Sequence, residues 1–420
     1  MTHLKRSIGI GLWFMFLTLP LMVVRVNTLT QEVEWRWSNM VWVGACAFAI
    51  AWLWQFFIER RAIRHAQVVA DSHPVIPQVE KRSLAQRLAD DPVLSRRVLL
   101  GAAAIALVFP WLVSSGQDFY HVNVMVSALI FVVLGLGLNI TVGLAGLLDL
   151  GYIAFFAVGA YTYALLSKNF DLGFWACLPL GGLMSMLFGM VLGFPILRLR
   201  GDYLAIVTLG FASITKIVLE NWDTVFGGAA GIANIPRPDF FGVALSAREK
   251  SIYTYYIVLA LVALTIVVTN RMKNSRVGRA WMALREDEIA CVAMGVDMAR
   301  TKLSAYALGA FWAGLVGVVF AAHNSFINPD SFTFMDSAMI LAMVVLGGMG
   351  SILGVIIACL ALKLLPEYLR AFSEYRMLVF GAVMVLMMIF RPQGLINNMR
   401  RKYEIDTVEG DHDDDAKFTK

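Results

Sequence analysis

The chain has 420 residues, of which 59% are hydrophobic and only 15% are charged, and its formal net charge is +5. This composition excludes a soluble domain of this length and predicts an all-α polytopic membrane protein. The lysines and arginines lie in short segments between apolar runs, so the positive charge indicates orientation in a membrane and not a nucleic-acid site.

The residue patterns of enzyme active sites are missing. No glycine is followed by lysine, which excludes a phosphate-binding loop of the G-x-x-x-x-G-K-[ST] type. Cys46, Cys177, Cys291 and Cys359 are far apart, so neither a disulfide framework nor a metal site is indicated. We therefore expect no catalytic, cofactor or metal site, and if ATP drives this protein, another chain must bind it.

Residues 1–97 are predicted to be an appended module. Apolar runs at 8–24 and 40–58 are typical of two membrane spans, the first preceded by basic residues and not followed by an A-x-A cleavage site. The arginine-rich segment 59–97 then lies in the cytoplasm, and the N-terminus is expected on the same side.

The core, predicted at 98–395, begins with a span at 98–114. The next apolar stretch, 121–167, has room for two crossings of about 20 residues each, joined by a glycine-rich bend at 141–151. Further single spans are predicted at 172–197, 203–220, 251–269 and 303–322. Counting these crossings places the basic segment 271–302 in the cytoplasm, in agreement with its charge.

Small residues recur at every fourth position in two of these spans, a spacing that lets neighbouring helices approach closely. They are Ser185, Gly189 and Gly193 in one span and Gly309, Ala313 and Gly317 in the other. We expect both ridges to lie in helix contacts.

Residues 338–365 are apolar but are interrupted by the glycine-rich run 346–351. One continuous helix would be about 42 Å long, too long for an upright crossing of about 30 Å. Two half-helices that enter and leave on the same side fit better, and they leave the arginines after a last span at 377–390 in the cytoplasm. The total is about ten transmembrane helices plus this re-entrant hairpin, followed by a polar tail at 396–420 that is expected to be disordered.

The basic segment 271–302 contains a run, 279–293, with neither proline nor glycine. Its apolar residues recur at roughly helical spacing, at Trp281, Leu284, Ile289 and Val292. This pattern predicts one short amphipathic helix that ends at Gly295 and is suited to docking into a groove on a soluble partner. The alternative is a connecting loop whose charges only solvate it and fix the topology.

The two glycine-broken stretches occupy comparable places in the two halves of the core. Breaks inside a bilayer are tolerated only where the backbone faces protein or a wet cavity, so they point to a translocation path. The candidate path residues are Asn139, Thr141, Gly143, Gly146, Gly347, Gly348 and Gly350. Close helix packing without a cavity is the alternative, in which Asn139 and Thr141 are satisfied in helix contacts.

Asp149 and Lys216 are ionisable residues inside apolar stretches, where a charge costs about 2.5–3.5 kcal/mol. Asp149 is expected to cap the helix after the bend, and Lys216 to extend to the membrane surface at the outer end of its span. The scarcity of such groups argues against ion-coupled transport.

Several long stretches of the core carry a further signal. They are 134–161 (LGLGLNITVGLAGLLDLGYIAFFAVGAY), 193–210 (GFPILRLRGDYLAIVTLG), 278–295 (GRAWMALREDEIACVAMG), 345–351 (VLGGMGS) and 390–395 (FRPQGL). In this order they resemble the LivM family, the permease subunits of high-affinity branched-chain amino acid ABC importers. The resemblance covers the core and implies a type II-like importer permease in a bacterial inner membrane, with both termini in the cytoplasm.

The resemblance also implies partners. They are a second permease subunit of the LivH kind, two cytoplasmic ATPase subunits and a periplasmic protein that binds leucine, isoleucine or valine. The subunit would form half of the pathway and couple to the ATPases through an E-x-x-A-x-x-x-G signature, here Glu288 and Gly295 with Ala290 displaced by one position. The adjoining charged residues assigned to this coupling surface are Arg285, Glu286 and Asp287.

Nothing in the apolar core identifies the cargo. A permease of the same class for another small solute, such as urea or an amide, is therefore an alternative. An ion-driven secondary carrier is a second alternative and predicts transport by the isolated chain under a pH or sodium gradient. A membrane scaffold without transport activity is a third.

Overall fold

The long apolar runs form helices, the structure in which a bilayer-spanning chain satisfies its backbone hydrogen bonds internally. The computed structural model describes residues 24–26, 33–35, 106–111, 120–196, 199, 201–238, 246–368, 381, 382, 384, 385, 387, 389 and 394–396. Six of the described helices are long and apolar enough to cross a membrane, as a polytopic helical protein requires.

The chain separates into two compact units, Met1–Lys81 and Arg82–Lys420. In the first unit the described residues form an antiparallel pair of strands, β1 (Val24–Val26) and β2 (Val33–Trp35). Sequence analysis predicted no strand in this part of the chain.

Several predicted segments lie largely or wholly outside the described residues. They are the spans 8–24, 40–58, 98–114 and 377–390, the basic segment 59–97 and the tail 396–420.

The second unit is helical. Its elements in chain order are α1 (Tyr120–Leu138), α2 (Ile153–Phe170), α3 (Phe174–Ile196), α4 (Asp202–Asn221), α5 (Asp223–Phe226), β3 (Ile232–Ala233), α6 (Ala247–Lys273), α7 (Arg276–Glu286), α8 (Glu288–Ala293), α9 (Met298–Asn324), β4 (Phe326–Ile327), α10 (Phe334–Gly347) and α11 (Ile352–Tyr368). The predicted single spans at 172–197, 203–220, 251–269 and 303–322 are confirmed as the helices α3, α4, α6 and α9.

The bend after α1 is built from a π-helical turn at Asn139–Leu144. The Ala145 N–H donates to the Ile140 carbonyl (3.2 Å), which gives the wide hydrogen-bonded ring of such a turn. The chain then turns at Gly146, whose φ of +73° favours glycine. The predicted glycine-rich bend is therefore confirmed, and π turns occur frequently at functional sites.

Helix α9 lies at the centre of the core and packs against α1, α2 and α3. The small-residue ridge of α3 lies in a helix contact, as predicted, and its partner is α9: a Cβ on Gly189 would lie 2.7 Å from Ala310 Cβ, and one on Gly193 would lie 2.9 Å from Leu303 Cδ1. The ridge of α9 itself faces elsewhere, since Gly317 lies against the Phe156 carbonyl of α2. Both ridges thus bring helix backbones close together.

The interrupted stretch after β4 forms two helices, α10 and α11, with a break at 348–351. The helices meet just beside the break, where a Cβ on Gly347 would lie 2.7 Å from the Gly354 carbonyl oxygen. Gly348 has a φ of +102°, which an L side chain rarely adopts. The predicted interruption of this stretch is confirmed.

Helix α11 runs back along α1 in the opposite direction. Midway along α11, Cys359 Sγ lies 2.6 Å from the position of a Cβ on Gly135; further on, Lys363 Nζ lies 3.8 Å from the ring centroid of Phe131. Later residues of α11 therefore meet earlier residues of α1. With α10, this arrangement forms a helical hairpin.

The carbonyls at the end of α10 are satisfied by residues far along the chain. The Leu395 N–H donates to the Leu346 carbonyl (2.8 Å), and the Ile396 N–H donates to the Gly347 carbonyl (3.3 Å). Gly394 packs on Gly348 with a φ of +86°, so residues 394–396 seal this helix end.

The two ends of the helical core differ. At one, the β3–β4 end, strand β3 pairs antiparallel with β4. Lys216 Nζ forms ion pairs there with Asp330 Oδ1 (2.9 Å) and Glu220 Oε1 (3.3 Å). Lys216 therefore lies near a polar surface, as predicted. The two ion pairs were not predicted from the sequence. The other end, the α7–α8 end, carries the basic segment.

Candidate functional site

The predicted amphipathic helix 279–293 is wrong in one respect, because two helices occupy this segment. They meet at Asp287, whose backbone is extended (φ −154°, ψ 111°). Its Oδ1 accepts hydrogen bonds from the N–H groups of Ile289 (2.8 Å) and Ala290 (3.1 Å), so the aspartate caps the new helix α8. The predicted end of the segment is confirmed at Gly295, which has a φ of +82°.

The apolar residues of this segment face in two directions. Trp281 and Leu284 on α7 are buried, and Trp281 Nε1 donates to the Thr301 carbonyl and to Ser304 Oγ, both at 3.0 Å on α9. Spacing alone placed Trp281 and Leu284 on one face with Ile289 and Val292. The kink at Asp287 separates the two pairs, and α7 is thereby fixed to α9.

Helix α8 and the residue after it present an apolar surface that the described residues leave exposed. Ile289 is 71% exposed, Val292 is 53% exposed and Met294 is 84% exposed. Two large apolar side chains on α8 and a third directly after it, bounded by charged residues, are the composition of a protein-docking surface.

Helix α8 is also held from beneath by an ion pair. Lys302 Nζ lies 2.6 Å from Glu288 Oε1, with the lysine side chain 3% exposed and the glutamate side chain 24% exposed. Sequence analysis assigned Glu288 to the docking surface, but its carboxylate turns inward to the start of α9. We therefore assign it the task of orienting α8.

Arg285, at the end of α7, extends to the first glycine-broken stretch. Its Nη1 donates a hydrogen bond to the Gly143 carbonyl. Its stem crosses Gly146, where a Cβ would lie 2.8 Å from Arg285 Cγ. The guanidinium thus connects α7 directly to the π turn.

The second glycine-broken stretch meets the first at the same place. The Gly350 N–H donates to Asn139 Oδ1 (2.8 Å), across 211 positions of sequence, and the Asn139 side chain is fully buried. Lys273 Nζ, at the end of α6, donates to the Gly350 carbonyl (3.4 Å). We call Asn139, Gly143, Lys273, Arg285 and Gly350 the junction.

The remaining predicted site residues surround the junction. Thr141 is buried, donates to the Leu138 carbonyl (2.9 Å) and packs on Gly309, so it forms a helix contact. Gly347 and Gly348 form the end of α10. Glu286 and Ala290 are exposed beside the docking surface.

Asp149 lies in the connection between the π turn and α2 and is buried. The predicted cap is wrong: the N-cap residue of α2 is Tyr152, and no side chain of the described residues caps the helix. Asp149 Oδ1 instead accepts the Gly151 N–H (2.8 Å) before the helix begins, and Tyr306 and Thr208 are the neighbouring polar side chains. Burial raises the pKa of Asp149 to about 6, because desolvation penalises the carboxylate more than these donors stabilise it.

Asp149→Asn is expected to stabilise the protein at neutral pH. The pKa of Asp149 rises from 3.8 to about 6 on folding, so the free energy of unfolding falls as pH rises between these values and is constant above them. The asparagine amide does not ionise, so the variant should avoid this loss of unfolding free energy, which is at most about 3 kcal/mol. Melting temperatures of the purified protein at several pH values test this, with the exposed Asp171→Asn as control. A lower melting temperature for Asp149→Asn at pH 7 would contradict the expectation.

Two functional candidates were missed in the sequence. In the sequence, Lys302 indicated only the orientation of its segment in the membrane. In the structure it is buried and forms an ion pair with Glu288. Lys363 was passed over within the stretch 338–365, although a lysine inside an apolar run is by itself a signal of function.

Comparisons with known proteins identify a family. The sequence profile of the branched-chain amino acid transport system permease component family matches residues 120–388. The chain is 42% identical, over 89% of its length and 88% of the relative, to the high-affinity branched-chain amino acid transport system permease protein LivM of Salmonella typhimurium. It is also 42% identical to the LivM of Escherichia coli, with the same coverage.

A more distant relative belongs to a second type of subunit. The high-affinity branched-chain amino acid transport system permease protein LivH of Escherichia coli is 24% identical over 63% of this chain and 91% of the relative. No solved structure matches the chain.

Proposed function

The chain belongs to the family of branched-chain amino acid transport system permease components, and from this premise we propose that it is the LivM-type subunit of an ATP-driven importer of leucine, isoleucine and valine. The observation that carries the mechanism is the junction. It joins the docking surface of α8, through α7, to both glycine-broken stretches.

In this proposal the α7–α8 end lies in the cytoplasm and the β3–β4 end faces the opposite side of a bacterial inner membrane. The arginines and lysines of 271–302 support this orientation. The hairpin of α10 and α11 is then re-entrant from the β3–β4 side, because α11 returns along α1. Both termini are cytoplasmic, the core 98–395 is of the type II-like class with about ten spans in the whole chain, and 1–97 is an appended two-span extension.

We assign coupling to α8. An ATPase subunit would bind the exposed surface of Ile289, Val292 and Met294. Movement of α8 would be transmitted through α7, because Arg285 holds the Gly143 carbonyl and Trp281 holds α9. The hairpin would follow, since Gly350 is bonded to Asn139.

The partners in this proposal are a LivH-like permease, two ATPase subunits and a periplasmic binding protein. Similarity to both LivM and LivH supports two related permeases that each form half of one pathway. The predicted path residues Asn139, Gly143 and Gly350 are buried by one another in this chain, so we propose that they position the path wall.

Reconstitution tests the function. The complete complex in proteoliposomes, with ATP and the binding protein, is expected to accumulate labelled leucine, with competition by valine and isoleucine. If urea or amides, and not valine and isoleucine, compete with leucine for uptake, the transported solute belongs to another class. Accumulation by this chain alone under a pH or sodium gradient would overturn the proposal.

Ile289→Glu is expected to weaken binding of the ATPase subunits at least about tenfold. The isoleucine side chain is 71% exposed, and burying it at an interface would contribute about 1.5–3 kcal/mol to the binding free energy. A glutamate would lose this contribution, because burying its charge is unfavourable. Phe170→Glu, a 70% exposed residue at the β3–β4 end, is the matched control. The measurement is the affinity of the purified permease pair, carrying either variant, for the ATPase subunits. Equal affinities for the two variants would argue against docking at α8.

A further inference from the structure

Two adjoining cavities open between α1 and its neighbours at the β3–β4 end. The first, of about 350 Å³, is lined by Arg237, His323 and Asn123 among others. The second, of about 270 Å³, is lined by Lys363, Glu367 and aromatic residues. They share Val124 and Ser127 and therefore adjoin, and we call the two together the outer groove.

Lys363 is the unusual residue of this groove. It lies on α11, one arm of the hairpin, and is half-buried. Its ammonium lies 3.8 Å from the ring centroid of Phe131, and no carboxylate of the described residues lies within 4 Å of it. An ammonium in partly apolar surroundings is costly, so a lysine here indicates an anionic group that binds beside it.

The rest of the second cavity is amphipathic. Ile130, Phe131 and Phe320 supply an apolar wall, whereas Ser127 supplies a hydroxyl oxygen. A cation that can bind a carboxylate, a hydroxyl oxygen that can bind an ammonium and an apolar wall together match a zwitterionic α-amino acid with an aliphatic side chain.

The volume agrees with a small solute. About 270 Å³ corresponds to roughly nine water volumes, enough for one amino acid. Arg237 lies in the adjoining cavity, exposed, with its Nε bonded to Ser325 Oγ (3.1 Å). A second cation at the mouth would attract the same carboxylate before it reaches Lys363.

We propose that the outer groove is a binding subsite for an aliphatic α-amino acid, with Lys363 binding its carboxylate. The inference rests on the proposed function and adds to it a site within the permease, between the binding protein and the path. Because Lys363 lies on the hairpin, occupancy of the subsite is linked to the element that the junction holds at Gly350.

The test is uptake of labelled leucine by the complete complex in proteoliposomes. Lys363→Met is expected to slow uptake at least about tenfold, the effect of losing one charge-assisted bond, whereas Lys363→Arg should stay within about threefold of the unsubstituted protein. Lys168→Met, an exposed lysine at the same end, is the control. Stimulation of ATP hydrolysis by the binding protein should persist in Lys363→Met.

The possible failures are distinguishable. If the unsubstituted complex takes up no branched-chain amino acid, the proposed function is wrong. If it does, and Lys363→Met transports equally fast, the subsite is wrong while the function stands.

A second measurement does not depend on removing the lysine. Ser127→Cys places a thiol in the groove, and the native cysteines of the described residues are buried. Leucine is expected to slow its modification by a thiol reagent at least about threefold, whereas leucinamide, which lacks the carboxylate, should not. No protection by leucine would overturn the proposal.

Discussion

Gly143→Ala is expected to abolish uptake and to lower the melting temperature strongly. A Cβ on Gly143 would overlap Asn139 Oδ1 and would lie 2.6 Å from the Gly350 nitrogen. The methyl group would therefore separate the two stretches that the Asn139–Gly350 hydrogen bond joins. Overpacking costs about 1–3 kcal/mol, and leaving a buried polar pair unsatisfied costs about 1–3 kcal/mol more.

The control is Gly210→Ala in α4, where, apart from the helix's own backbone, no heavy atom of the described residues lies within 4 Å of the added Cβ. Because alanine favours a helix over glycine by up to about 1 kcal/mol, this variant should be as stable as the unsubstituted protein or slightly more stable. Combining Gly143→Ala with Asn139→Ala removes the overlap between the new methyl group and Asn139 Oδ1. The double variant should therefore lose less unfolding free energy than the sum of the two single variants. Normal uptake by Gly143→Ala would mean that the junction does not couple the two stretches.

The extents of the helices could be predicted because the signals are local. A run of apolar residues of sufficient length forms a membrane helix, and glycines mark where it breaks, as at the π turn and at 348–351. The ridge of Ser185, Gly189 and Gly193 could be predicted to lie in a helix contact for the same reason, although which helix it meets could not.

The failures concern side chains whose partners are distant in sequence or whose effect depends on backbone geometry. Asp287 caps a helix only because its backbone is extended, and the apolar spacing across it suggested one helix. The sequence context of Glu288 is that of a surface residue, whereas in the structure its carboxylate pairs with the buried Lys302. The bond between Asn139 and Gly350 spans 211 positions, a separation at which a single sequence carries no signal.

These long-range contacts also explain why the two glycine-broken stretches are broken. Each exposes backbone groups that residues distant in sequence bind: the Gly350 N–H donates to Asn139 Oδ1 in the π turn, and the Gly143 carbonyl accepts a hydrogen bond from Arg285 on α7. Breaks that are completed by residues on separate helices respond when those helices move. We infer that the breaks are the moving parts of the path and that α7 controls them.

Glu288→Gln is expected to impair coupling more than Lys302→Met does, although the two residues form one ion pair. The lysine side chain is 3% exposed and the glutamate side chain 24% exposed. Removing the carboxylate leaves a buried cation without its partner, at a cost of about 3 kcal/mol or more. Removing the lysine leaves a carboxylate that water still reaches, so the loss is smaller.

Uptake and ATP hydrolysis measured on the same complexes test this asymmetry. We expect Glu288→Gln to slow uptake at least about tenfold while ATP hydrolysis continues, because α8 would still bind an ATPase but would no longer be fixed to α9. The double variant Glu288→Gln, Lys302→Met removes both charges and should recover part of the uptake. The control is Arg300→Met, which breaks the exposed Arg300–Asp297 pair at a cost within about 1 kcal/mol. Equal effects of Glu288→Gln and Arg300→Met would mean that the buried pair does not orient α8, and that Glu288 acts on the surface as its sequence context first suggested.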